Sequence, residues 1–194
     1  RVTGNVAVGK VSSSYREYIV MKSVPLKNLI SVANKYSSNS YAEQILRTVG
    51  LRVYGFGSIY NSQKVLNDFV KRLFGEYYPF KLNDACGLST YNLLTPYMLA
   101  QTLVYAYKNH NGFNGFISTL ATAGKEGTME GRLKDITAYA KTGTLQKVSN
   151  IAGIMITKTG KRVAFCIMVN NFITPTYVVT AYHDEIIRYV WNNY

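Results

Sequence analysis

Two apolar segments separated by a short polar turn place the strongest constraint on how this chain can fold. The segments cover residues 151–156 and 163–169, and Thr157-Lys158-Thr159-Gly160-Lys161 lies between them. A glycine-containing turn of this length between two runs of β-type residues is typical of a β-hairpin. An isolated hairpin is only marginally stable in water. The rest of the chain must therefore supply further strands or a layer of helices.

Residues with helical spacing occupy much of the remaining chain. Apolar side chains recur there at intervals of three and four residues, which predicts helices that turn one face to a core. The predicted helices cover residues 23–36, 41–49, 61–74, 95–106, 113–120 and 177–194. Ser23 is expected to cap the first helix, and Gly50 and Gly75 are expected to end the second and third.

Strand patterns flank these helices. They cover Val2, residues 5–8 and 15–21, an extended stretch at 77–82, and the segment that begins at Ala138, whereas the glycine-containing residues 124–131 predict a loop. Helices followed by antiparallel strands and a terminal helix predict an α+β fold, with a helical lobe packed beside an antiparallel sheet. A length of 194 residues favours a single domain, residues 1–194.

The charge balance is strongly basic. Twenty-two Lys and Arg residues against ten Asp and Glu residues give a net charge of +12. An anionic partner suits this charge, but its sign does not distinguish nucleic acid, acidic lipid and cell-wall polymer. The chain has no apolar stretch of the roughly 20 residues that a membrane-spanning helix needs, and its first residues lack the apolar run of a signal peptide.

The cysteines and histidines give no sign of a metal site. Cys86 and Cys166 have no second cysteine or histidine nearby at ligand spacing, so neither a zinc module nor a dense disulfide framework is indicated. No metal and no organic cofactor is implied. His110 and His183 both have polar sequence neighbours, which predicts that both lie on the solvated surface.

Lys141-Thr142-Gly143-Thr144 opens the strand-rich segment and is the most informative short motif. On an exposed strand, a lysine and a hydroxyl can bind a substrate carboxylate, and a glycine lets a peptide approach the strand edge. The tripeptide alone is weak evidence because Lys158-Thr159-Gly160 repeats it. That second copy is interpreted as ordinary chemistry of the hairpin turn.

A second candidate lies at the polar break between the first two predicted helices, in Ser37-Ser38-Asn39. The Ser37 hydroxyl could relay a proton and the Asn39 amide could hold a substrate carbonyl in one cleft. The alternative is that Ser37 or Ser38 simply caps the following helix. On spacing alone the cap is the commoner role for these residue types, and the two roles are compatible.

Taken together, the two motifs are two of the three that mark penicillin-recognising serine enzymes, namely Ser-x-x-Lys, Ser-Asp-Asn and Lys-Thr-Gly. The chain resembles the D-alanyl-D-alanine carboxypeptidases of the class C, low-molecular-mass penicillin-binding type. The similarity follows the family's order over nearly the whole length. It rests on Ser23-Val24-Pro25-Leu26, residues 35–43, Asp84-Ala85-Cys86-Gly87-Leu88-Ser89, Ala123-Gly124-Lys125-Glu126-Gly127-Thr128, residues 140–145 and Asn150-Ile151-Ala152-Gly153.

Three departures from the family pattern stand out. Ala85 and Cys86 replace the usual glycine and serine, and Ser38 replaces the usual aspartate. More seriously, no serine of the chain has a lysine three positions later, and the nearest approximation is Thr144 with Lys147. In the family the nucleophile precedes the other motifs, so the resemblance implies that this chain is the C-terminal portion of a longer protein.

The resemblance also implies roles for individual residues. Ser37 would relay a proton to the leaving amine, Asn39 would hold the substrate amide, and Lys141 would provide positive potential beside both the relay and the substrate carboxylate. Thr142 and Thr144 would bind that carboxylate, and Gly143 would permit the substrate peptide to approach the strand. The partners implied are peptidoglycan stem peptides ending in D-Ala-D-Ala, β-lactams and the N-terminal remainder of the protein, in a periplasmic or otherwise extracytoplasmic location.

Two other functions fit parts of the sequence. A non-catalytic cell-wall or peptide-binding module could keep the same fold without the nucleophile. A nucleic-acid surface could use the charge and the 17 tyrosines. Tyr41, Tyr105 and Tyr189 lie beside apolar helix positions, however, where packing is the commoner role, so no nucleic-acid partner is predicted.

Overall fold

The computed structural model describes residues 3–5, 8–16 and 19–194. Its α-helices are α1 (Leu26–Tyr36), α2 (Asn39–Tyr54), α3 (Ile59–Phe74), α4 (Pro96–Asn109) and α5 (Thr176–Asn193). Its strands are β1 (Ala121–Thr122), β2 (Ala138–Leu145), β3 (Val148–Ile156) and β4 (Arg162–Asn170). Short 3-10 turns cover Gly112–Asn114, Ile117–Thr119 and Gly127–Met129. The predicted α+β fold is confirmed.

The strands form one antiparallel sheet in the order β1-β2-β3-β4. The predicted hairpin is β3 and β4, joined by residues 157–161, and β2 pairs with β3 from Ala138↔Met155 to Leu145↔Val148. Strand β1 pairs with β2 only at Ala140 and Tyr139. In the part of the chain that the structure describes, no strand therefore pairs with the β1 side of β2 from Lys141 onward.

Helices cover both faces of the sheet. Alternate side chains of β3 point to opposite faces, so Ile151 and Met155 are buried with Ile187 of α5, whereas Ile154 is buried with Leu103 of α4. Helices α1, α2 and α3 pack in sequence beside this layered core. The predicted helical lobe thus lies next to the sheet and brings the α1–α2 junction towards β2.

Two helix starts follow local capping rules. Thr95 and Ser58 accept capping hydrogen bonds from the backbones of Met98 and Asn61. The prediction that Gly50 ends α2 is wrong, because α2 continues to Tyr54. A Cβ on Gly50 would lie 2.6 Å from Ser62 Oγ, so this glycine lets α2 and α3 approach each other.

Two predictions for the first part of the chain are also wrong. Pro25, not Ser23, occupies the N-cap position of α1. The predicted strands at Val2, 5–8 and 15–21 fall partly outside the described residues, and the described positions of these stretches form no strand. Val8, Ile19 and Met21 are largely exposed, because no neighbouring strand covers them in the ranges 3–5, 8–16 and 19–194.

His183 also departs from expectation. Its side chain is only 1% exposed, although its sequence neighbours Asp184 and Glu185 are polar. Helical geometry explains the error, since adjacent residues on a helix point in different directions and His183 shares the inward face of α5 with Val179 and Ile187. His110 is exposed, as predicted. None of the described helices combines the length and apolarity needed to cross a membrane.

Candidate active site

The junction between α1 and α2 consists of two serines whose side chains are not used for capping. Ser37 has the left-handed conformation (φ 54°, ψ 43°) at the end of α1, and Ser38 is extended at the start of α2. Within the described residues, neither serine makes a side-chain capping hydrogen bond. Ser38 thus occupies the predicted N-cap position of α2 but does not cap the helix with its side chain. A left-handed serine is uncommon and costs conformational energy, and here it leaves the Ser37 hydroxyl available for another partner.

That partner is Lys141 of β2. Its Nζ donates hydrogen bonds to Ser37 Oγ and to the backbone carbonyl oxygen of Thr142, joining residues 104 positions apart. Burial lowers the pKa of Lys141, because a partly dehydrated ammonium is less stable than one in water. The structure thus brings a hydroxyl and an ammonium of lowered pKa into direct contact, an arrangement suited to proton transfer.

The remaining predicted site residues lie around this contact. Asn39 is the first residue of α2 and is exposed, and in the hydrogen bonds of the described residues its side chain has no partner. Thr142, Gly143 and Thr144 follow Lys141 along β2, opposite Ile151, Asn150 and Ser149 of β3. The structure therefore brings Ser37 into contact with Lys141 and places Asn39 two residues further along the chain, and among the described residues no hydrogen bond joins Asn39 to the lysine.

Gly143 leaves open space at the strand. A Cβ built on this residue would meet no heavy atom within 4 Å. Because β2 is unpaired on this side among the described residues, its backbone groups here are available to an extended ligand. An unpaired edge with a glycine and two threonines can bind a peptide backbone and its terminal carboxylate.

A loop predicted from its glycines, which also carries part of the family resemblance, contacts the residues next to the site. This loop, residues 122–129 (the bridge loop), begins in β1 and contacts the end of α1. Glu126 forms an ion pair with Lys35 (2.9 Å) and accepts a hydrogen bond from Thr122 Oγ1 (3.0 Å). The Lys35 ammonium holds the pKa of Glu126 below its usual value. Little in the sequence indicated this ion pair. Lys35 lies two residues before Ser37, and Glu126 lies in a loop quoted for the family resemblance.

A second loop, residues 84–89, is anchored on α2. Glu43 Oε1 accepts from the backbone N–H groups of Ala85 (2.7 Å) and Cys86 (3.0 Å). Asp84 accepts from Gly87 (2.8 Å) and Ser89 (2.6 Å). The possible ligand atoms of Glu43, Asp84 and Cys86 lie within 4.8 Å of one another, but both carboxylates already serve as acceptors that shape the loop. Sequence reasoning did not find this use of Glu43.

The two cysteines are free thiols in the structure. Burial raises the pKa of Cys86, and it raises the pKa of Cys166 to about 11. A thiol in that state is a poor nucleophile at neutral pH, because the thiolate is the reactive form.

Comparison with known proteins agrees with the geometry. A profile of the D-Ala-D-Ala carboxypeptidase 3 (S13) family matches residues 1–189, so the chain belongs to that family. It is 29% identical over 161 residues to the D-alanyl-D-alanine carboxypeptidase DacB of Haemophilus influenzae, covering 78% of this chain and 33% of that protein. It is 26% identical over 186 residues to a D-alanyl-D-alanine carboxypeptidase of an Actinomadura species, covering 90% and 34%.

Solved structures show the same fold. Penicillin-binding protein 4 (dacB) of Haemophilus influenzae, in a complex with a β-lactam, superposes with a TM-score of 0.74 at 25% identity, over 85% of this chain and 41% of that one. The TLA-3 extended-spectrum β-lactamase superposes with a TM-score of 0.65 at 20% identity, over 85% and 62%. The chain spans about a third of the length of the curated relatives it matches.

Proposed function

We propose that this chain provides the proton-relay and substrate-binding half of a serine-type D-alanyl-D-alanine carboxypeptidase or endopeptidase that acts on peptidoglycan stem peptides. The observation that carries the proposal is the contact between Lys141 Nζ and Ser37 Oγ. Ser37 and Lys141 are far apart in sequence, and the fold brings them together. The pKa of Lys141 is also lowered. Perturbed titratable groups of this kind are concentrated at catalytic sites.

The nucleophile belongs, in this proposal, to polypeptide outside these 194 residues. No Ser-x-x-Lys occurs in the chain, and the curated relatives are about three times the matched length. A serine presented next to Lys141 would attack the carbonyl carbon of the D-Ala-D-Ala peptide bond. D-alanine would leave, and water would then hydrolyse the acyl-enzyme.

The residues of this chain would act at defined points of that reaction. Ser37 would pass a proton to the amine of the departing D-alanine, and Lys141 would lower the energy of the charged states of that relay. Asn39 would hold the substrate amide. Thr142 and Thr144 would bind the terminal carboxylate, and the Thr144 backbone N–H would contribute to an oxyanion hole.

Apolar surface beside α1 supports the idea that further polypeptide completes the site. No residue of α1 is buried, although its apolar side chains lie on one face. Two grooves of about 640 Å³ each border this helix, one lined with α2 residues such as Ile45 and Val49 and the other with Phe69 and Phe116. Apolar surface of this extent is commonly covered by a partner or by the rest of a chain. We assign it to the segment that carries the nucleophile.

Substrate and location follow the same proposal. The stem peptide ending in D-Ala-D-Ala, and β-lactams that mimic it, would bind along the free edge of β2. Peptidoglycan lies outside the cytoplasmic membrane, so the enzyme would work in the periplasm or another extracytoplasmic location. The net charge of +12 suits an anionic cell wall.

The test is the site of a covalent penicillin adduct. The full-length product of the gene, treated with benzylpenicillin, should gain one adduct by intact mass, and peptide mapping should place it on a serine outside these 194 residues. The 194-residue chain alone should form no adduct and release no D-alanine from a D-Ala-D-Ala peptide. An adduct on Ser37, or on any other residue of this chain, would contradict the assignment.

The absence of Ser-x-x-Lys also favours one rival, a non-catalytic peptide-binding module of the same fold. That rival predicts that the full-length product binds the stem peptide by calorimetry without forming an adduct.

A further inference from the structure

The bridge loop connects the two halves of the candidate site. At one end, Ala123 donates a backbone hydrogen bond to Ala138 of β2 (2.9 Å), and β1 pairs with Ala140, the residue before Lys141. At the other end, Glu126 binds Lys35, in the last turn of α1 before Ser37. The bridge loop thus connects β2, which carries the Lys141 ammonium, to the end of α1, which is followed by Ser37.

Backbone contact reinforces the ion pair. A Cβ built on Gly127 would lie 2.3 Å from the carbonyl oxygen of Lys35, and Gly127 has a left-handed φ of 57°. Only glycine allows the loop to approach the helix end this closely at that φ. The Lys35 and Glu126 side chains are 19% and 33% exposed, so their ion pair is less screened than one fully in water. The loop therefore holds α1 both through its backbone and through a charge pair.

We propose that the Lys35–Glu126 ion pair is a positioning device that keeps Ser37 Oγ in contact with Lys141 Nζ. Neither Lys35 nor Glu126 contacts the reacting groups themselves in this role. They fix the last turn of α1, and through it the left-handed Ser37, relative to β2.

The geometry explains why such a device is useful. Ser37 occupies a conformation that is unfavourable for a non-glycine residue, and such conformations persist only when the surroundings enforce them. A misplacement of about 1 Å in a catalytic group can cost about a hundredfold in rate. The proposal deepens the proposed function and rests on it for its catalytic meaning, but the contact itself can be measured without turnover.

The experiment follows the Lys141 side chain by NMR in the 194-residue chain, with ¹³C-labelled lysine. The Lys141 Cε signal is identified by its loss in Lys141→Arg. Ser37→Ala defines the signal position when the contact is absent. Glu126→Gln should move the Lys141 signal to the position it has in Ser37→Ala. A chain that carries both Ser37→Ala and Glu126→Gln should show no further change. Lys35→Arg, which keeps the ion pair, should leave the signal where it is in the parent chain.

Glu130→Gln is the matched control. Glu130 is an exposed residue of the same turn, and its substitution removes the same charge as Glu126→Gln. Lys35→Gln breaks the same ion pair from the α1 side, so the result does not depend on the folding of Glu126→Gln. If both Glu126→Gln and Lys35→Gln leave the Lys141 signal where Glu130→Gln leaves it, the proposal is wrong. A Lys141 signal that is unchanged in Ser37→Ala would also overturn it. Failure of the full-length protein to form an acyl-enzyme would instead count against the proposed function alone.

Discussion

Lys-Thr-Gly occurs twice in this chain, and the two copies lie in different surroundings. Lys141-Thr142-Gly143 lies on β2 at an edge that is unpaired among the described residues. Lys158-Thr159-Gly160 lies in the turn between β3 and β4 and is packed against the end of α5. The same three residue types therefore serve two purposes, and the surroundings of each copy determine which.

The two lysines illustrate the difference. Lys141 is buried enough to lower its pKa, and its Nζ contacts Ser37 Oγ. The Nζ of Lys158 lies 4.6 Å from the centre of the Trp191 ring, and its backbone N–H donates to the Trp191 carbonyl oxygen (3.1 Å). A cation over an aromatic face is a stabilising contact. Lys158 thus attaches the hairpin to α5, whereas Lys141 connects β2 to the α1–α2 junction.

The two glycines differ as well. Gly160 has φ 81°, a conformation that the turn requires and that favours glycine. Gly143 lies in a regular strand and has open space where a Cβ would be. One glycine is needed for the backbone conformation and the other for access to the strand edge.

The largest expected effect separates the two lysines. In the full-length protein, Lys141→Ala should lower the rate of acylation by benzylpenicillin by about 10²- to 10⁴-fold, the usual contribution of a group that assists proton transfer. Lys158→Ala should leave that rate within about twofold of the parent, because it is outside the site. Stopped-flow acylation kinetics measure both rates. Equal losses in the two variants would show that Lys141 is not the functional copy.

Much of the fold could be predicted from local patterns. The hairpin, α3, α4 and α5 are recognisable from periodicity, and the Thr95-Pro96 start of α4 follows local capping chemistry. Other features could not be predicted in this way, because they depend on distant parts of the chain. Gly50 was interpreted as a helix end because its contact with Ser62 of α3 cannot be derived from neighbouring residues.

The candidate site was predictable only in part. Ser37 and Lys141 could be selected because two short motifs together match an ordered family pattern, and the structure then shows them in contact. Lys35, Glu43 and Glu126 were not selected as site residues. Lysine and glutamate are common on protein surfaces, and only the folded structure shows that these three hold the turns around the site.

The next largest effect concerns α5, the helix that Lys158 contacts. His183 is buried in it, and in the part of the chain that is described its Nε2 has no hydrogen-bond partner. Burial, and to a lesser extent the nearby Arg132, lowers the pKa of His183 from 6.5, although Asp184 acts in the opposite direction. The folded state therefore prefers the neutral ring. Its contribution to stability is complete above about pH 6.5 and is lost as the pH falls towards the folded pKa.

In that pH window the free energy of unfolding should fall, by at most about 1.4 kcal/mol per pH unit from this group. Urea unfolding of the chain at a series of pH values measures the slope. His183→Gln should reduce the slope, and His110→Gln, a change at an exposed histidine, should not. Hydrogen exchange should show that acid weakens α5 and the Lys158 turn before the Lys141 strand. A slope that is the same in His183→Gln would mean that His183 is not the group responsible.

The smallest expected effects concern the two glycines. Substitution by alanine should lower the free energy of unfolding at Gly160 and raise it at Gly143. Gly160→Ala places a side chain at φ 81°, which should cost about 1 kcal/mol of unfolding free energy. Gly143→Ala meets no steric contact and should raise that free energy by about 0.5 kcal/mol, because alanine restricts the unfolded chain. Yet Gly143→Ala should lower the acylation rate of the full-length protein, since the added methyl group projects from the sheet face beside the free edge of β2 and narrows the space for a ligand, while Gly160→Ala should not. If Gly143→Ala acylates at the parent rate, the edge of β2 is not where the ligand backbone approaches.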